Sequence, residues 1–147
     1  MNKKYNLPCN IANTLDLIGD RWTLLIIREL LNGTSKFNEI KTSLSGIAPN
    51  ILSDRLQMLE QEGIVSSKLY RKHPPRYEYE LTRKGKDLRH VLNALAIWGN
   101  RHLEPKYMKL VHTDCNHEVK IHYYCPNCDT TVKEVEYVPN SPRAANT

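Results

Sequence analysis

Five side chains that can bind a metal ion lie close together toward the carboxyl end of the chain. Cys125 and Cys128 have the two-residue gap that lets two thiolates share one zinc ion at a tight turn. Cys115, with His112 or with His117, would supply the other ligands from a facing strand. Such a zinc would be structural, because a catalytic zinc keeps one of its four positions open. The alternative is a hairpin that keeps free thiols, since the spacing around Cys115 is irregular.

Cys9 is the remaining cysteine and lies far from that cluster in sequence. It precedes the first predicted helix, where unpaired backbone N–H groups and the helix dipole favour a thiolate. Lys3 and Lys4 are near in sequence and add positive charge. Two roles are open for this thiol. It senses oxidants or electrophiles, or it is an inert side chain packed at an interface, since free cysteine is often buried.

The composition favours a polyanionic partner and a reducing compartment. The chain has 147 residues, which suits one principal domain with an appendage, and its net charge is +5. Its sequence pI is near 9.0, which suits a protein that binds nucleic acid. The sequence shows neither the apolar run of a secretory signal nor a stretch long enough to cross a bilayer. We therefore expect a cytoplasmic protein whose cysteines are thiols or metal ligands.

A second kind of chemistry is offered by a cationic segment between two predicted strands. Residues 65–69 and 77–81 alternate with the period of two that is typical of strands. Cations on a proline-stiffened loop suit phosphate or minor-groove contacts, which set the register and affinity of DNA binding. The segment therefore predicts a wing that lies against DNA. Its cationic candidates, in residues 70–76, are Arg71, Lys72, His73 and Arg76.

The helix predicted before the wing presents polar side chains to solvent. It begins at Pro49, which suits a first helical turn, and Leu52, Leu56 and Leu59 repeat along one buried face. Asn and Gln can pair with adenine, and Ser with several base edges, although a merely solvated helix face would have the same composition. Arg55 is expected to contact a phosphate or to pair with a nearby acid. The outward-facing candidates for DNA contact are Asn50, Ser53, Asp54 and Gln57.

The remaining periodicity predicts the elements that hold these segments in place. A first helix lies near residues 10–18, a second is capped by Asp20, and a third is capped by Ser35. The third helix, a glycine-containing turn and the helix at Pro49 form a helix-turn-helix. Thr82 caps one long helix after the wing. The predicted fold is α+β, a mostly helical winged helix-turn-helix with a two-stranded wing.

The chain divides into three predicted parts. Residues 9–106 form the winged helix domain for DNA binding and dimerisation. Residues 107–139 form a Cys/His-containing β-hairpin extension that resembles a zinc ribbon. Residues 140–147 are polar and contain a proline, which predicts a disordered tail.

The long last helix has more apolar surface than one small domain is expected to cover. Leu88, Val91, Leu95 and Trp98 form one stripe, and a second stripe runs through Leu92. Two stripes favour a homodimer that buries one of them between two copies. The alternative is a single wide face buried within one chain.

Residues 9–103 resemble the HxlR-type winged helix-turn-helix regulators, which are related to the MarR group. The likeness lies in the order of its motifs: Cys9, LDLIGDRWTLLI at 15–26, FNEI at 37–40, LSDRL at 52–56 and PPRYEYELT at 74–82. It implies a homodimeric transcription regulator of bacteria or archaea that binds operator DNA, more often as a repressor. The first and last helices build the dimer in that family. Some members use a cysteine at the position of Cys9 to sense oxidants or electrophiles.

One departure from the family concerns the start of the recognition helix. Pro49 and Asn50 stand where the family often has a Ser and a Lys. This difference bears on the operator sequence and not on the mode of binding. A two-fold dimer would read half-sites about 34 Å apart on a pseudo-palindromic operator. A small molecule or an electrophile is the expected kind of inducer.

Two other functions compete with DNA regulation. Cys125 and Cys128 could serve a thiol oxidoreductase, but the βαβ pattern that accompanies such a motif is missing. A winged helix could also bind a partner protein as an adaptor, but the basic wing favours DNA. The sequence contains no nucleophile elbow, phosphate-binding glycine loop or paired catalytic carboxylates. We therefore do not expect an enzyme.

Overall fold

The computed structural model describes residues 4–140, so the tail predicted for residues 140–147 lies almost wholly outside the described residues. Across the described range, every helix is too short or too polar to span a bilayer. In chain order the elements are α1 (Asn10–Ile18), α2 (Thr23–Leu31), α3 (Phe37–Ser43), α4 (Pro49–Gln61), β1 (Val65–Arg71), β2 (Arg76–Leu81), α5 (Arg83–Lys86), α6 (Arg89–His102), β3 (Tyr123–Cys125) and β4 (Thr130–Val132).

The core lies between α2, α3, α4 and the base of the two-stranded sheet. Ile26 on α2, Ile40 on α3 and Leu52 on α4 are each 0% exposed. Leu56 and Leu59, the other apolar positions of the predicted buried face of α4, are also buried. The 3.6-residue period that predicted this helix therefore gives its packed face correctly.

The helix-turn-helix consists of α3, a turn and α4. Ile47 is buried in the turn, Gly46 adopts φ +95°, and Pro49 occupies the first turn of α4 as predicted. The prediction that Ser35 caps α3 is wrong, because Lys36 precedes the helix and makes no side-chain cap. The Ser35 carbonyl instead accepts a hydrogen bond from the Tyr79 N–H at 2.8 Å.

The wing consists of β1, β2 and the turn between them. The strands pair antiparallel, with Val65 opposite Leu81 at the base. The strands reach farther than predicted, since Arg71 lies in β1 and Arg76 in β2, which leaves only residues 72–75 as the turn. An isolated bridge between Lys36 and Glu78 adds a short third edge to the sheet.

The long helix predicted after the wing is divided in two. Thr82 caps the short α5, where its hydroxyl accepts a hydrogen bond from the Gly85 N–H at 3.2 Å. Gly85 packs closely, because a Cβ at this position would lie 2.2 Å from the Ile64 carbonyl oxygen. Leu88 then precedes α6. The close approach of α5 to the base of the wing sets the direction from which α6 begins.

The extension (residues 107–139) contains two short antiparallel pairings. Val111 bridges to Glu118, and β3 pairs with β4 around a turn at residues 126–129. The chain runs from Glu118 to the start of β3 without a turn or bend. Residues 118–122 lie along α6 and line an open groove of about 970 Å³ with it. No residue of the extension is buried.

Candidate nucleic-acid interface

The solvent-facing side of α4 carries the polar side chains predicted to contact DNA. Asn50, Ser53, Asp54 and Gln57 are all exposed, on the side opposite to the buried leucines. Pro49 fixes the first turn of the helix, so these side chains project from a rigid element. A helix of this width fits the major groove of B-DNA, and amide side chains can pair there with adenine.

Arg55 forms the internal ion pair, the second of the two roles expected for it. Its Nε donates to Asp20 Oδ2 at 2.8 Å, and Asp20 also accepts from the Trp22 N–H at 3.2 Å and from the Thr23 hydroxyl. Burial raises the pKa of Asp20, but the hydrogen bonds of Thr23 and Trp22 and the charge of Arg55 lower it more. The pair therefore joins α4 to the start of α2 with the carboxylate ionised.

Asp20 was predicted to cap the second helix, and the structure gives it a different place. Helix α2 begins at Thr23, and Trp22 occupies the capping position without a side-chain bond. Asp20 lies farther back in the turn and reaches forward to Trp22 and Thr23, as well as across to Arg55. The sequence shows the acid before the helix, but it does not show the partner on α4.

The wing presents its cations to solvent. In the part of the chain that the structure describes, no ion pair involves the four cationic wing side chains. The turn between the strands holds Pro74 and Pro75. Unpaired guanidinium and ammonium groups can bind phosphate oxygens without first breaking an ion pair within the protein. The exposed side chains are Arg71, Lys72, His73 and Arg76.

The two tyrosines of β2 differ in burial, since Tyr77 is 45% exposed. Tyr79 packs against the core, and burial, together with the negative charge of Glu60, raises the pKa of its hydroxyl. Lys36, before α3, places its Nζ 5.0 Å from the centre of the Tyr70 ring on β1. This contact and the bridge to Glu78 tie the wing to the helix-turn-helix. Sequence periodicity did not show Lys36, because its contacts are distant along the chain.

Glu29 is a second residue that the sequence did not single out. It is 6% exposed on α2 and accepts hydrogen bonds from Ser43 at 2.6 Å and from Arg28 at 3.0 Å. Burial raises the pKa of Glu29, but these hydrogen bonds lower it more, so the group stays ionised. The sequence could have indicated Glu29, because this charged residue lies within the apolar face of α2. The carboxylate fixes the end of α3 against α2.

One apolar stripe of α6 is left uncovered. Leu92 packs on the core, whereas Val91, Leu95 and Trp98 are exposed, with Trp98 at 57%. Ile11 on α1 is exposed as well, at 55%. The predicted division into one stripe that covers the core and one that does not is therefore present, although Leu88 belongs to the core side.

Cys9 is the residue that directly precedes α1. Its carbonyl accepts from the Asn13 N–H at 3.0 Å, whereas its thiol is exposed and makes no capping bond. Lys4 is exposed nearby in sequence, and Lys3 lies outside the described residues. Within the single chain, the thiol is thus open to solvent and not packed away.

Four of the five predicted metal ligands form two pairs, and His117 belongs to neither pair. His112 Nδ1 lies 3.2 Å from Cys115 Sγ, and Cys125 lies with Cys128 at the second turn. The N–H groups of Cys128 and Asn127 and the Cys128 thiol lower the pKa of Cys125. Among residues 4–140, no three His, Cys, Asp or Glu side chains are grouped as metal ligands.

The expectation that Cys115 faces the Cys125–Cys128 turn is therefore not met within one chain. The chain runs from Glu118 to β3 without a turn or bend, and the two pairs of donors stay separate. His117 contributes its backbone carbonyl, which accepts from the His112 N–H at 2.9 Å. Within each turn two donor side chains are near each other, but the donors of the two turns do not meet.

Comparison with known sequences finds a close match over the helices and the wing. The model of the HxlR-like helix-turn-helix family matches residues 17–107. The HTH-type transcriptional regulator YvaP of Bacillus subtilis is 35% identical over 108 residues, which cover 74% of this chain and 99% of YvaP. That match leaves about a quarter of this chain outside it.

Solved structures agree in fold. PA1374 of Pseudomonas aeruginosa is 34% identical, has a TM-score of 0.67, and the match covers 92% of this chain and 96% of PA1374. The redox regulator HypR in its oxidized form is 30% identical with a TM-score of 0.59, over 65% of this chain and 99% of HypR. The first match is long enough to reach into the extension, whereas the second is not.

Proposed function

Because the chain belongs to the HxlR-like helix-turn-helix family and is a DNA-binding transcription regulator, we propose that it binds operator DNA as a homodimer and represses transcription. Helix α4 enters the major groove, and the wing lies on the backbone or in the minor groove. One observation carries this assignment: both the polar side chains of α4 and the unpaired cations of the wing are exposed to solvent. A regulator of this kind acts on the chromosome in the cytoplasm and performs no reaction of its own.

The cations of the wing are assigned to phosphate contacts. Arg71→Ala combined with Lys72→Ala should weaken binding similarly for all duplex sequences. The slope of log K against log salt should become shallower by about one for each lost contact. The matched control is Lys109→Ala with Lys133→Ala, which removes the same charge from exposed positions of the extension. Equal effects of the two double variants would contradict a DNA-facing wing.

The outward face of α4 is assigned to base contacts. Gln57→Ala or Asn50→Ala should cost about 1–3 kcal/mol on the best operator and much less on random DNA. Selection of bound sequences from a random duplex pool identifies that operator. If no salt-dependent binding to bulk duplex DNA is found, a protein-binding adaptor is favoured instead of a DNA regulator.

The homodimer is assigned to the exposed stripe of α6 together with α1. Burial of Leu95 and Trp98, which are 52% and 57% exposed in the single chain, would remove apolar surface from water on association. Leu95→Glu should shift sedimentation at tens of micromolar from dimer to monomer. Leu69→Glu, at a partly exposed apolar position on the wing, should leave the dimer intact. A wild-type monomer would refute the assignment.

Cys9 is assigned to thiol sensing. Its thiol is exposed beside the start of α1, and the matched regulator HypR is described as a redox regulator. A mild thiol oxidant should lower operator affinity of the wild type reversibly and leave Cys9→Ser unchanged. Loss of affinity in both proteins would assign the effect to another cysteine, and retention in both would exclude this sensor.

A further inference from the structure

Two turns of the extension repeat one local design. The first turn (residues 112–117) holds His112 and Cys115 with two residues between them, followed by Asn116 at φ +63°. The second turn (residues 125–129) holds Cys125 and Cys128 with the same gap, followed by Asp129 at φ +51°. Non-glycine residues adopt this left-handed conformation rarely, with Asn and Asp the most frequent. The repetition therefore indicates that both turns are shaped to present a pair of side chains.

The side chains of each pair converge on each other. In the first turn, His112 Nδ1 lies 3.2 Å from Cys115 Sγ. In the second turn, Cys125 is the last residue of β3 and Cys128 lies in the four-residue turn that follows it. Cysteine sulfur and histidine nitrogen are the donors that structural zinc sites use. Each turn is thus a half-site with two nitrogen or sulfur donors.

The extension has no apolar core to hold these turns. None of residues 107–139 is buried, although Tyr107, Met108 and Tyr137 are among its exposed apolar side chains. Small units of this kind usually depend on a metal ion, disulfides or association. All three of its cysteines are free thiols here, which leaves metal and association.

One chain does not bring its two half-sites together. From Glu118 to Tyr123 the backbone runs without a turn or bend, and no three of the donors among residues 4–140 are grouped as metal ligands. Convergence within the chain would require this segment to leave α6, whose groove it lines. A second copy can supply the missing half-site while both turns and the segment keep their places.

We propose that two copies of this chain share zinc ions, each held by Cys125 and Cys128 of one copy and by His112 and Cys115 of the other. This inference rests on the homodimer of the proposed function. Three thiolates and one imidazole are a common structural set for zinc, and four protein ligands leave no open position for catalysis. The zinc would tie the extensions together beyond the interface of α1 and α6.

Metal content and a cobalt spectrum test the donor set. Full-length protein purified without chelator should contain about one zinc per chain, and Co²⁺ substitution should give the visible bands of a tetrahedral thiolate site. The double variants Cys125→Ser/Cys128→Ser and His112→Ala/Cys115→Ser should each lose the metal and the bands. Cys9→Ser and His117→Ala are the controls and should keep both. Metal-free wild type, or full metal in the second double variant, would overturn the proposal.

A mixed dimer tests whether the site is shared. Co-expression of the two double variants with different tags, followed by purification on both tags, gives dimers that contain one copy of each. One intact shared site then remains, so the mixed dimer should hold about one zinc per two chains, while each parent holds none. A metal-free mixed dimer would overturn the shared site. Sedimentation of the same samples separates the failures, because a metal-free dimer leaves the proposed homodimer standing and a monomer refutes it.

Discussion

The winged helix domain and the extension both contain large apolar and charged side chains, but they differ in how these side chains are buried and paired. In the winged helix, Ile26, Leu52 and Leu59 are fully buried, and charged groups such as Asp20 and Arg55 pair internally. In the extension, large apolar side chains remain on the surface, with Tyr137 at 95% exposure. The core of the winged helix buries its apolar side chains within one chain, whereas the extension buries none.

This difference separates self-sufficient folding from dependence on a partner. Helices α2, α3 and α4 bury their apolar side chains in one core. The exclusion of water from this core supplies the main stabilising free energy. The extension offers only two short pairings and two turns. Its order should therefore depend on what binds its donors and covers its apolar side chains, whereas the core of α2, α3 and α4 should be stable without either.

The largest expected effect comes from the core. Leu56→Ala, at a residue that is 1% exposed, should lower the free energy of unfolding by about 2–5 kcal/mol, because it leaves a cavity in the core. Tyr137→Ala removes a larger side chain from the extension and should change it by less than about 0.5 kcal/mol. Urea denaturation of both variants at one protein concentration measures this. Similar losses would break the comparison.

A smaller effect is expected from two glycines that differ in packing. Gly85→Ala places its Cβ 2.2 Å from the Ile64 carbonyl oxygen, so α5 must move, at a cost of about 1–3 kcal/mol. Gly99→Ala meets nothing nearer than Leu103 Cδ1 at 3.9 Å and should stabilise α6 by about 0.5–1 kcal/mol. Thermal melts of the two variants should therefore shift in opposite directions. A shift in the same direction would show that α5 is packed as loosely as α6.

The smallest expected effect is a pH dependence confined to the winged helix. The folded pKa of Asp20 lies below its ordinary value of 3.8, so its contribution to stability is present above that value. The contribution is lost as the pH falls through 3.8 and then through the lower folded pKa. Asp20→Asn should cost about 1 kcal/mol at neutral pH and should flatten the acid limb of a plot of stability against pH.

The control for the acid limb is a carboxylate of the extension. Asp114→Asn, at a side chain that is 87% exposed, should leave the acid limb unchanged. Urea midpoints between neutral and acid pH provide the measurement. If Asp20→Asn and the wild type lose stability in parallel on acidification, the paired carboxylate of the winged helix has no special role.

The sequence by itself determined the parts that depend on local periodicity. The leucines of α4 have one helical spacing, and Pro49 can occupy only the first turn, so the recognition helix and its outward face follow from near neighbours. The alternation on either side of residues 72–75 likewise specified a hairpin. The cations of the wing needed no tertiary information, because a short hairpin turn exposes them.

Only the tertiary structure decided which partners distant residues have. Arg55 could contact a phosphate or an acid, and the position of α4 beside the turn before α2 brings Asp20 to 2.8 Å. The helix that looked continuous in sequence is divided between Lys86 and Arg89, and Gly85 of its first part packs against the Ile64 carbonyl. The paired spacing at Cys125 indicated a metal site, yet among residues 4–140 no third donor is grouped with this pair. Spacing along a chain fixes what neighbours can do, whereas the path of the backbone fixes which neighbours meet.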